Sequence, residues 1–388
     1  AVLRDPCGIR PCFFYRDDEI VVVASERPVI QTVMNVPRVA VEELQPGEGL
    51  IINKKGELSL TQILPKGENQ RCSFERIYFS RGSDADIYRE RKSLGRNLVA
   101  PLIDLLGDTP LDECVFSFIP NTAEVAFVGM VEGLQDHNNK LRCQKIMELC
   151  QRGELNPDSL AEAMKGRVRI EKVAIKDIKL RTFIAAGDER NEMATHVYDV
   201  TYGIIRNDVD TLIVIDDSIV RGTTLKQSII AMLDRLHPKR IIVLSSSPQV
   251  RYPDYYGIDM SRMGEFIAFR AALELNIERG NLNLLEDVYR RCVAMDAEED
   301  DTKLENCVKK IYEPFTDEEI SRKIAEMLTP VNTKAKVDIL YQSMDGLKEA
   351  VPTCPGNWYF SGDYPTPGGI RLVNRAYINY YEGRADQR

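Results

Sequence analysis

Two adjacent carboxylates, Asp216 and Asp217, lead directly into a loop whose residue types suit phosphate binding. The loop from Ser218 to Thr224 contains three hydroxyl residues, one arginine and one glycine. Hydroxyl groups and the N–H groups of a tight loop donate to phosphate, and Gly222 lets the backbone approach a ligand closely. Carboxylates repel phosphate, but they accept hydrogen bonds from sugar hydroxyls and coordinate Mg²⁺. The pattern therefore predicts a sugar-phosphate site, with phosphate on the loop and the sugar diol on the acids.

A buried strand and a helix are predicted to hold this loop in place. Leu212–Ile215 is an aliphatic run typical of a strand that is buried on both faces. Apolar residues then recur at helical spacing, namely Leu225, Ile229, Ile230, Leu233 and Leu236. A helix that begins near Thr224 would direct the positive end of its dipole towards a bound anion. The alternative is an exposed acidic turn before an ordinary helix. A Walker-type loop is excluded, because its glycine-lysine-serine/threonine ending is absent.

The complete string from Val214 to Thr224 resembles the 5-phosphoribosyl-1-diphosphate (PRPP) signature of type I phosphoribosyltransferases. Its Val-Ile-Asp-Asp-Ser-Ile-Val-Arg-Gly-Thr-Thr form is similar to that of the glutamine amidophosphoribosyltransferase family. The resemblance implies that Mg²⁺ is the cofactor and that Asp216 and Asp217 organise it. It also implies a set of PRPP-binding residues: Asp216, Asp217, Ser218, Val220, Arg221, Gly222, Thr223 and Thr224.

A second loop, Pro120–Glu124, follows a predicted core strand at Val115–Ile119. It resembles the family's diphosphate-binding loop, usually Pro-Glu/Asp-Ser/Thr-Ser, which implies that Thr122 contacts the diphosphate. Ala123 lacks the hydroxyl that often assists the metal at this position in the family. The alternative for so short a match is a simple turn.

The predicted fold class is α/β, with a doubly wound, mostly parallel sheet of the type I phosphoribosyltransferase kind at residues 76–275. The preceding residues 1–75 read as part of a β-rich N-terminal-nucleophile glutaminase-like domain. An insertion is predicted at about residues 132–172, with helices at Gln144–Gln151 and Pro157–Met164. Residues 276–388 are expected to form a helical and extended tail, in which Asp317–Leu328 is a helix capped by Thr316.

The glutaminase-like segment departs from the family pattern it resembles. Arg4–Pro11 is similar to the family's Arg-Asp-Pro-Asn-Gly-Ile-Arg-Pro segment, but the family's nucleophilic cysteine lies upstream of it and is absent from this sequence. The catalytic nucleophile is therefore unknown, and the chain is expected to be a processed or truncated product. Cys7 stands where the family has the oxyanion-hole asparagine, and Gln31 stands where it has the aspartate that holds glutamine. With Gly8 alone retained, we predict a degenerate glutamine site.

Some family members hold an iron–sulfur cluster on four cysteines. The first of these positions is Cys72 here, and the others correspond to Asp254, Gly356 and Tyr359. One thiolate cannot hold such a cluster, so we expect none.

The family's mobile loop, which closes over PRPP, is also altered. Its end is matched by Arg181–Ile184, whereas Lys176–Leu180 differs from the family. Asp177 brings negative charge to a position where the family has arginine, so efficient closure is not expected.

Composition restricts the classes of partner. A net charge of −9 argues against nucleic acid or a membrane surface as a partner. No apolar run is long enough to span a bilayer, and no signal peptide is recognisable. Nine scattered cysteines without paired spacing predict reduced thiols and a cytoplasmic protein. The resemblance further implies a homo-oligomer that is inhibited by purine nucleotides.

Two hypotheses about function follow. The first is an amidophosphoribosyltransferase-like glycosyltransferase of de novo purine synthesis. It would transfer an amino group from ammonia or glutamine to C1 of PRPP, giving 5-phosphoribosylamine and diphosphate, with an impaired glutaminase half. The second is a non-catalytic, regulatory protein that binds PRPP or a nucleotide.

Overall fold

The structure is a computed structural model that describes residues 1–176, 198–223, 225–256 and 260–384. Its strands are β1 Val2–Leu3, β2 Phe13–Arg16, β3 Val21–Ala24, β4 Glu42–Glu43, β5 Glu48–Ile52, β6 Leu58–Gln62, β7 Cys114–Phe118, β8 Arg169–Ile170, β9 Ala174–Lys176, β10 Tyr198–Val200, β11 Thr211–Asp216, β12 Arg240–Ser245 and β13 Lys336–Tyr341. Its helices are α1 Arg27–Met34, α2 Ala85–Asn97, α3 Val99–Leu106, α4 Glu124–Arg152, α5 Pro157–Met164, α6 Ala231–Asp234, α7 Ile267–Glu278, α8 Leu282–Ala297, α9 Asp317–Leu328, α10 Met344–Ala350, α11 Trp358–Ser361 and α12 Pro367–Tyr381. Two π-helical stretches are Glu75–Phe79 and Leu225–Ile230.

A parallel sheet of five strands in the order β13-β12-β11-β7-β8 forms the centre of the molecule. The strand β11, which carries the acidic pair, lies in the middle with β12 and β7 on either side. All four strand pairings in this sheet are parallel, so the carboxyl ends lie at one edge. This arrangement confirms the predicted α/β class.

Alternate residues of β11 pack into two different hydrophobic cores. Leu212 and Val214 face a core that includes helices α7 and α9, whereas Ile213 and Ile215 face a core that includes α3 and α4. All four side chains are fully buried. Helices on both faces explain why this strand reads as a continuous aliphatic run instead of alternating with polar residues.

The N-terminal residues form two small antiparallel sheets, with the orders β1-β5-β6 and β3-β2-β4. This confirms the β-rich character predicted for this part of the chain. A tight turn joins β5 to β6, in which the Asn53 side chain accepts the N–H groups of Lys55 and Glu57.

The structure corrects two boundaries in the phosphoribosyltransferase-like region. Within the predicted insertion, the first helix is the end of a single helix, α4, that begins at Glu124 and runs for 29 residues. Gly129 and Gly133 lower the helix propensity of its first part. The strand β13 pairs in parallel with β12, although the sequence had assigned it to the tail after residue 275. The domain boundary predicted there would cut this strand off from its sheet.

The helix predicted over Asp317–Leu328 forms with those bounds as α9. Thr316 caps it and shares a capping box with Glu319. Among the helices that the structure describes, none is both long and apolar enough to cross a membrane.

Candidate phosphoribosyl site

The acidic pair lies at the carboxyl end of the central strand. Asp216 is the last residue of β11, and Asp217 begins the loop that follows. The N–H group of Asp217 donates to Oδ1 of Asp216 at 2.9 Å. Ser246, at the end of the neighbouring strand β12, donates its N–H to the Asp216 carbonyl at 2.9 Å and its hydroxyl to the Asp217 carbonyl at 3.1 Å. The backbone of the pair is therefore fixed from the adjacent strand.

Thr122 lies beside this pair on the side opposite Ser246, because its loop follows β7, the other neighbour of β11. The Asp217 carboxylate accepts a hydrogen bond from the Ser218 hydroxyl at 2.9 Å, and Thr122 lies close enough to lower the pKa of this carboxyl by hydrogen bonding. Parallel strands end at the same sheet edge, so residues almost a hundred positions apart in the sequence come into contact here. The structure thus brings together Thr122, Asp216, Asp217 and Ser218.

Burial and mutual repulsion both disfavour the charged forms of the two carboxylates. The pKa of Asp216 is raised well above its ordinary value by burial and by the negative charge of Asp217. The pKa of Asp217 is raised by burial, although hydrogen bonds from Ser218 and Thr122 and the charge of Arg91 oppose the shift. Two partly buried acids in this state favour a cation or a set of hydroxyl donors as a partner.

A backbone hydrogen bond holds the centre of the loop in place. The Val220 carbonyl accepts the N–H of Ile267 at 2.8 Å, at the start of α7. Gly222 has a φ of 71°, which is unfavourable for other residues. The Arg221 side chain pairs with Glu265 at 2.7 Å. Thr223 is exposed, and Thr224 lies outside the described residues. Arg221 is therefore directed to a protein carboxylate in this arrangement.

The sequence reasoning gave no site role to Arg91, whose charge acts on Asp217. Its side chain is buried and donates to the carbonyls of Arg76, at 2.9 Å, and Ser80. A signal was present in α2, because Arg91 shares the buried helical face of Ile87 and Leu94. A charged residue on an apolar helical face indicates a partner in the interior.

The donors around Asp217 suit a hard divalent cation. Carboxylate and hydroxyl oxygens are the ligands that Mg²⁺ prefers. In the part of the chain that the structure describes, no group of three or more His, Cys, Asp or Glu side chains converges on a possible metal position. A bound Mg²⁺ would therefore take its remaining oxygens from a ligand and from water.

Similarity searches gave a consistent group of relatives. The chain is 28% identical over 277 residues to amidophosphoribosyltransferase from Pasteurella multocida, which covers 69% of this chain and 48% of the relative. It is 27% identical over 279 residues to the Escherichia coli protein of that name, covering 69% of this chain and 47% of the relative. The chain is similar to the amidophosphoribosyltransferases. It spans about half the length of the curated relatives it matches.

The solved structures agree on the fold. A glutamine PRPP amidotransferase from B. subtilis, complexed with ADP and GMP, aligns with a TM-score of 0.57 at 23% identity, covering 93% of this chain and 60% of that one. A second structure, described as the allosteric regulatory enzyme of purine biosynthesis, aligns with a TM-score of 0.55 at 23% identity, covering 93% and 59%. No family model matches the chain.

At the positions that the sequence resemblance predicts for a glutamine site, two backbone N–H groups are already bonded to Asp5. The N–H of Cys7 donates to Asp5 Oδ1 at 3.0 Å, and the N–H of Gly8 donates to the Asp5 carbonyl at 3.2 Å. Burial, with the charges of Asp5 and Glu68, raises the pKa of the Cys7 thiol, so the reactive thiolate is disfavoured.

A cavity of about 510 Å³ lies between the N-terminal residues and α2. Of the three glutamine-site positions, all of which the structure describes, Gly8 alone lines it. Gln31 lies in the middle of α1. The three predicted positions are therefore not gathered around this cavity.

The four positions that the sequence resemblance matches to iron–sulfur ligands do come together, but their side chains do not suit a cluster. Cys72 pairs with Gly356 in a β-bridge, and the guanidinium of Arg10 contacts Cys72, Asp254 and Tyr359. Burial raises the pKa of the Cys72 thiol to about 12, so it stays protonated. One neutral thiol beside a guanidinium is unsuited to iron–sulfur ligation.

The matches to the mobile loop, Asp177–Leu180 and Arg181–Ile184, lie outside the described residues, as do residues 257–259.

Proposed function

We propose that this chain binds PRPP and transfers an amino group to its C1, giving 5-phosphoribosylamine and diphosphate, as an amidophosphoribosyltransferase-like glycosyltransferase of purine synthesis. The observation that carries the proposal is the meeting of Thr122, Asp216 and Asp217 at the carboxyl edge of the parallel sheet. This is the edge at which open α/β sheets bind ligands. Names of relatives alone would not suffice, because the chain spans only about half their length.

Each part of the site has a role in this proposal. Ser218 to Thr224 donate to the 5-phosphate, Asp216 and Asp217 accept the ribose hydroxyls, and Thr122 contacts the diphosphate. Mg²⁺, held through Asp216 and Asp217 together with ligand oxygens, would neutralise charge on the diphosphate. The two carboxylates stabilise positive charge that develops on the ribose ring as the diphosphate leaves, so catalysis depends on orientation and electrostatics.

We infer that ammonia is a better nitrogen source than glutamine for this chain. Cys7 replaces a side-chain donor, and the N–H groups of Cys7 and Gly8 are engaged by Asp5. Gln31 has no charge with which to hold the amino group of glutamine. A homo-oligomeric state, inhibition by purine nucleotides and a cytoplasmic location also belong to this proposal.

The test is diphosphate release from PRPP and Mg²⁺ in the presence of ammonium or glutamine. We expect release with ammonium and little glutamate formation from glutamine. A variant with Asp217→Ala and Thr223→Ala should lose at least tenfold in PRPP affinity by calorimetry, because it lacks a carboxylate and a phosphate donor (on the order of 1.4 kcal/mol per tenfold).

Asp345→Ala is a matched control, since the Asp345 side chain is 98% exposed and far along the chain from the loop. It should bind PRPP normally. Binding without diphosphate release would refute catalysis and favour the regulatory hypothesis. Unchanged affinity in the double variant would show that PRPP binds elsewhere.

A further inference from the structure

Arg10 connects the N-terminal residues to three separate parts of the chain. Its guanidinium contacts Glu75 at 2.8 Å, Asp254 at 3.2 Å and the Tyr359 hydroxyl at 3.2 Å. It also lies 4.9 Å from the ring centre of Phe79. These partners come from the π-helical stretch, the segment after β12 and helix α11. Arg10 is therefore a single cation shared by groups that are distant in sequence.

The burial of its partners makes this cation difficult to replace. The Asp254 side chain is 1% exposed and that of Glu75 is 14% exposed, whereas Arg10 is 28% exposed. Two carboxylates surround one guanidinium, so its loss would leave a buried charge at Asp254 without a cation. Removing one partner of a buried ion pair is strongly destabilising for this reason.

Two of the Arg10 partners hold the backbone of the segment Ser246–Tyr256, which follows strand β12. Asp254 accepts the N–H of Tyr256 at 2.8 Å and donates its own N–H to the Met260 carbonyl at 2.9 Å. The Tyr359 carbonyl accepts the N–H groups of Arg251 and Tyr252. The same segment begins at Ser246, which binds the backbone of the acidic pair.

We propose that Arg10 is a positioning residue, through which the N-terminal region holds the segment Ser246–Tyr256 against the phosphoribosyl site. The network includes Cys72, Asp254 and Tyr359, three of the positions that the sequence resemblance matches to cluster ligands. The N-terminal region would retain a structural task although its glutamine positions are degenerate. The part of this inference that concerns PRPP rests on the proposed function.

The test is a double-mutant cycle with Arg10→Met and Asp254→Asn. Arg10→Met should lower the thermal midpoint and speed amide hydrogen exchange within Ser246–Tyr256. It should also weaken PRPP binding by about tenfold at a temperature where the protein is folded. The double variant should recover much of the lost stability, because the unpaired buried charge is gone.

Arg16→Met is the matched control. Arg16 lies in the same N-terminal region, is 52% exposed and reaches Glu42 only at 4.0 Å, so its loss should leave exchange in Ser246–Tyr256 unchanged.

Equal hydrogen exchange in the natural chain and Arg10→Met, or additive effects of the two substitutions, would overturn the proposal. If Arg10→Met lowers stability but neither speeds exchange in this segment nor weakens PRPP binding, Arg10 is only a stabilising residue. That result would also contradict the proposal. If the natural chain does not bind PRPP, the proposed function fails, but exchange and the cycle still decide the role of Arg10.

Discussion

At the scale of single residues, the acidic pair is a compromise between stability and ligand binding. Asp216 and Asp217 are adjacent and partly buried, and both pKa values are raised. These carboxyl groups bind protons more tightly in the folded protein than in the unfolded chain. The folded state therefore loses stability as the pH rises from the pKa of the unfolded chain towards the pKa of the folded protein. Above the ordinary pKa of an aspartate, the unliganded protein therefore loses stability because of this pair.

Asp216→Asn should stabilise the unliganded protein by roughly 0.5–2 kcal/mol at pH 7, because it removes one of two repelling buried charges. Asparagine keeps the oxygen that accepts the N–H of Asp217. The gain should shrink as the pH falls towards about 4, where aspartates in the unfolded chain also become protonated. Chemical denaturation at several pH values measures it.

The same variant should bind PRPP about tenfold more weakly, since it loses a carboxylate for the ribose diol and Mg²⁺ (about 1.4 kcal/mol). A destabilised variant, or a gain that does not vary with pH, would contradict the assigned pKa directions. The exposed Asp345, substituted by asparagine, serves as the reference.

At the scale of elements, α2 and α4 pack with their backbones in close approach. A Cβ atom at Gly95 would lie 1.7 Å from the Ala126 carbonyl oxygen, and one at Gly129 would lie 1.9 Å from the Lys92 carbonyl oxygen. These two helices carry Arg91 and follow the Thr122 loop, respectively. Their spacing therefore contributes to the geometry of the site.

Gly95→Ala should destabilise the protein by about 3 kcal/mol, because the new methyl group meets backbone that cannot move aside without separating the helices. Urea denaturation measures the change. The control is Gly133→Ala on α4, where the nearest atoms to a new Cβ belong to side chains, with Val99 at 2.8 Å, and not to backbone.

A helix-propensity gain of about 1 kcal/mol should largely offset that contact in Gly133→Ala. Similar losses for the two variants would mean that the helices do not approach as closely as described.

At the scale of the whole molecule, the central sheet depends on residues from the last part of the chain. The strand β13 covers one side of β12, and α9 contributes Ile320 and Ile324 to the core that also includes Leu212 and Val214. The sheet and the C-terminal residues are thus one folding unit.

A chain ending after residue 275 should fail to unfold cooperatively, since it lacks β13, α9 and the fully buried Trp358. Circular dichroism during thermal unfolding, compared with the full chain, tests this expectation. A sharp transition with native-like PRPP affinity in the shorter chain would support the boundary predicted from sequence instead.

Local sequence patterns predicted much of the fold and part of the site. The aliphatic run before Asp216 correctly predicted a strand buried on both faces, and Thr316 correctly predicted the start of α9. The first half of α4 is not evident from the sequence, because its glycines lower helix propensity. Gly129 is explained only by the close approach of the α2 backbone. Arg91 was overlooked because its position on α2 acquires meaning only beside Asp217.

By itself, the sequence determined the resemblance to amidophosphoribosyltransferases, the acidic pair and the hydroxyl-rich loop, because these depend on residues adjacent in the chain. Only the tertiary structure decided that Thr122 and Ser246 meet that pair, that β13 completes the sheet, and that Arg10 contacts Cys72, Asp254 and Tyr359. Such contacts join residues far apart in sequence, so strand order and burial decide them.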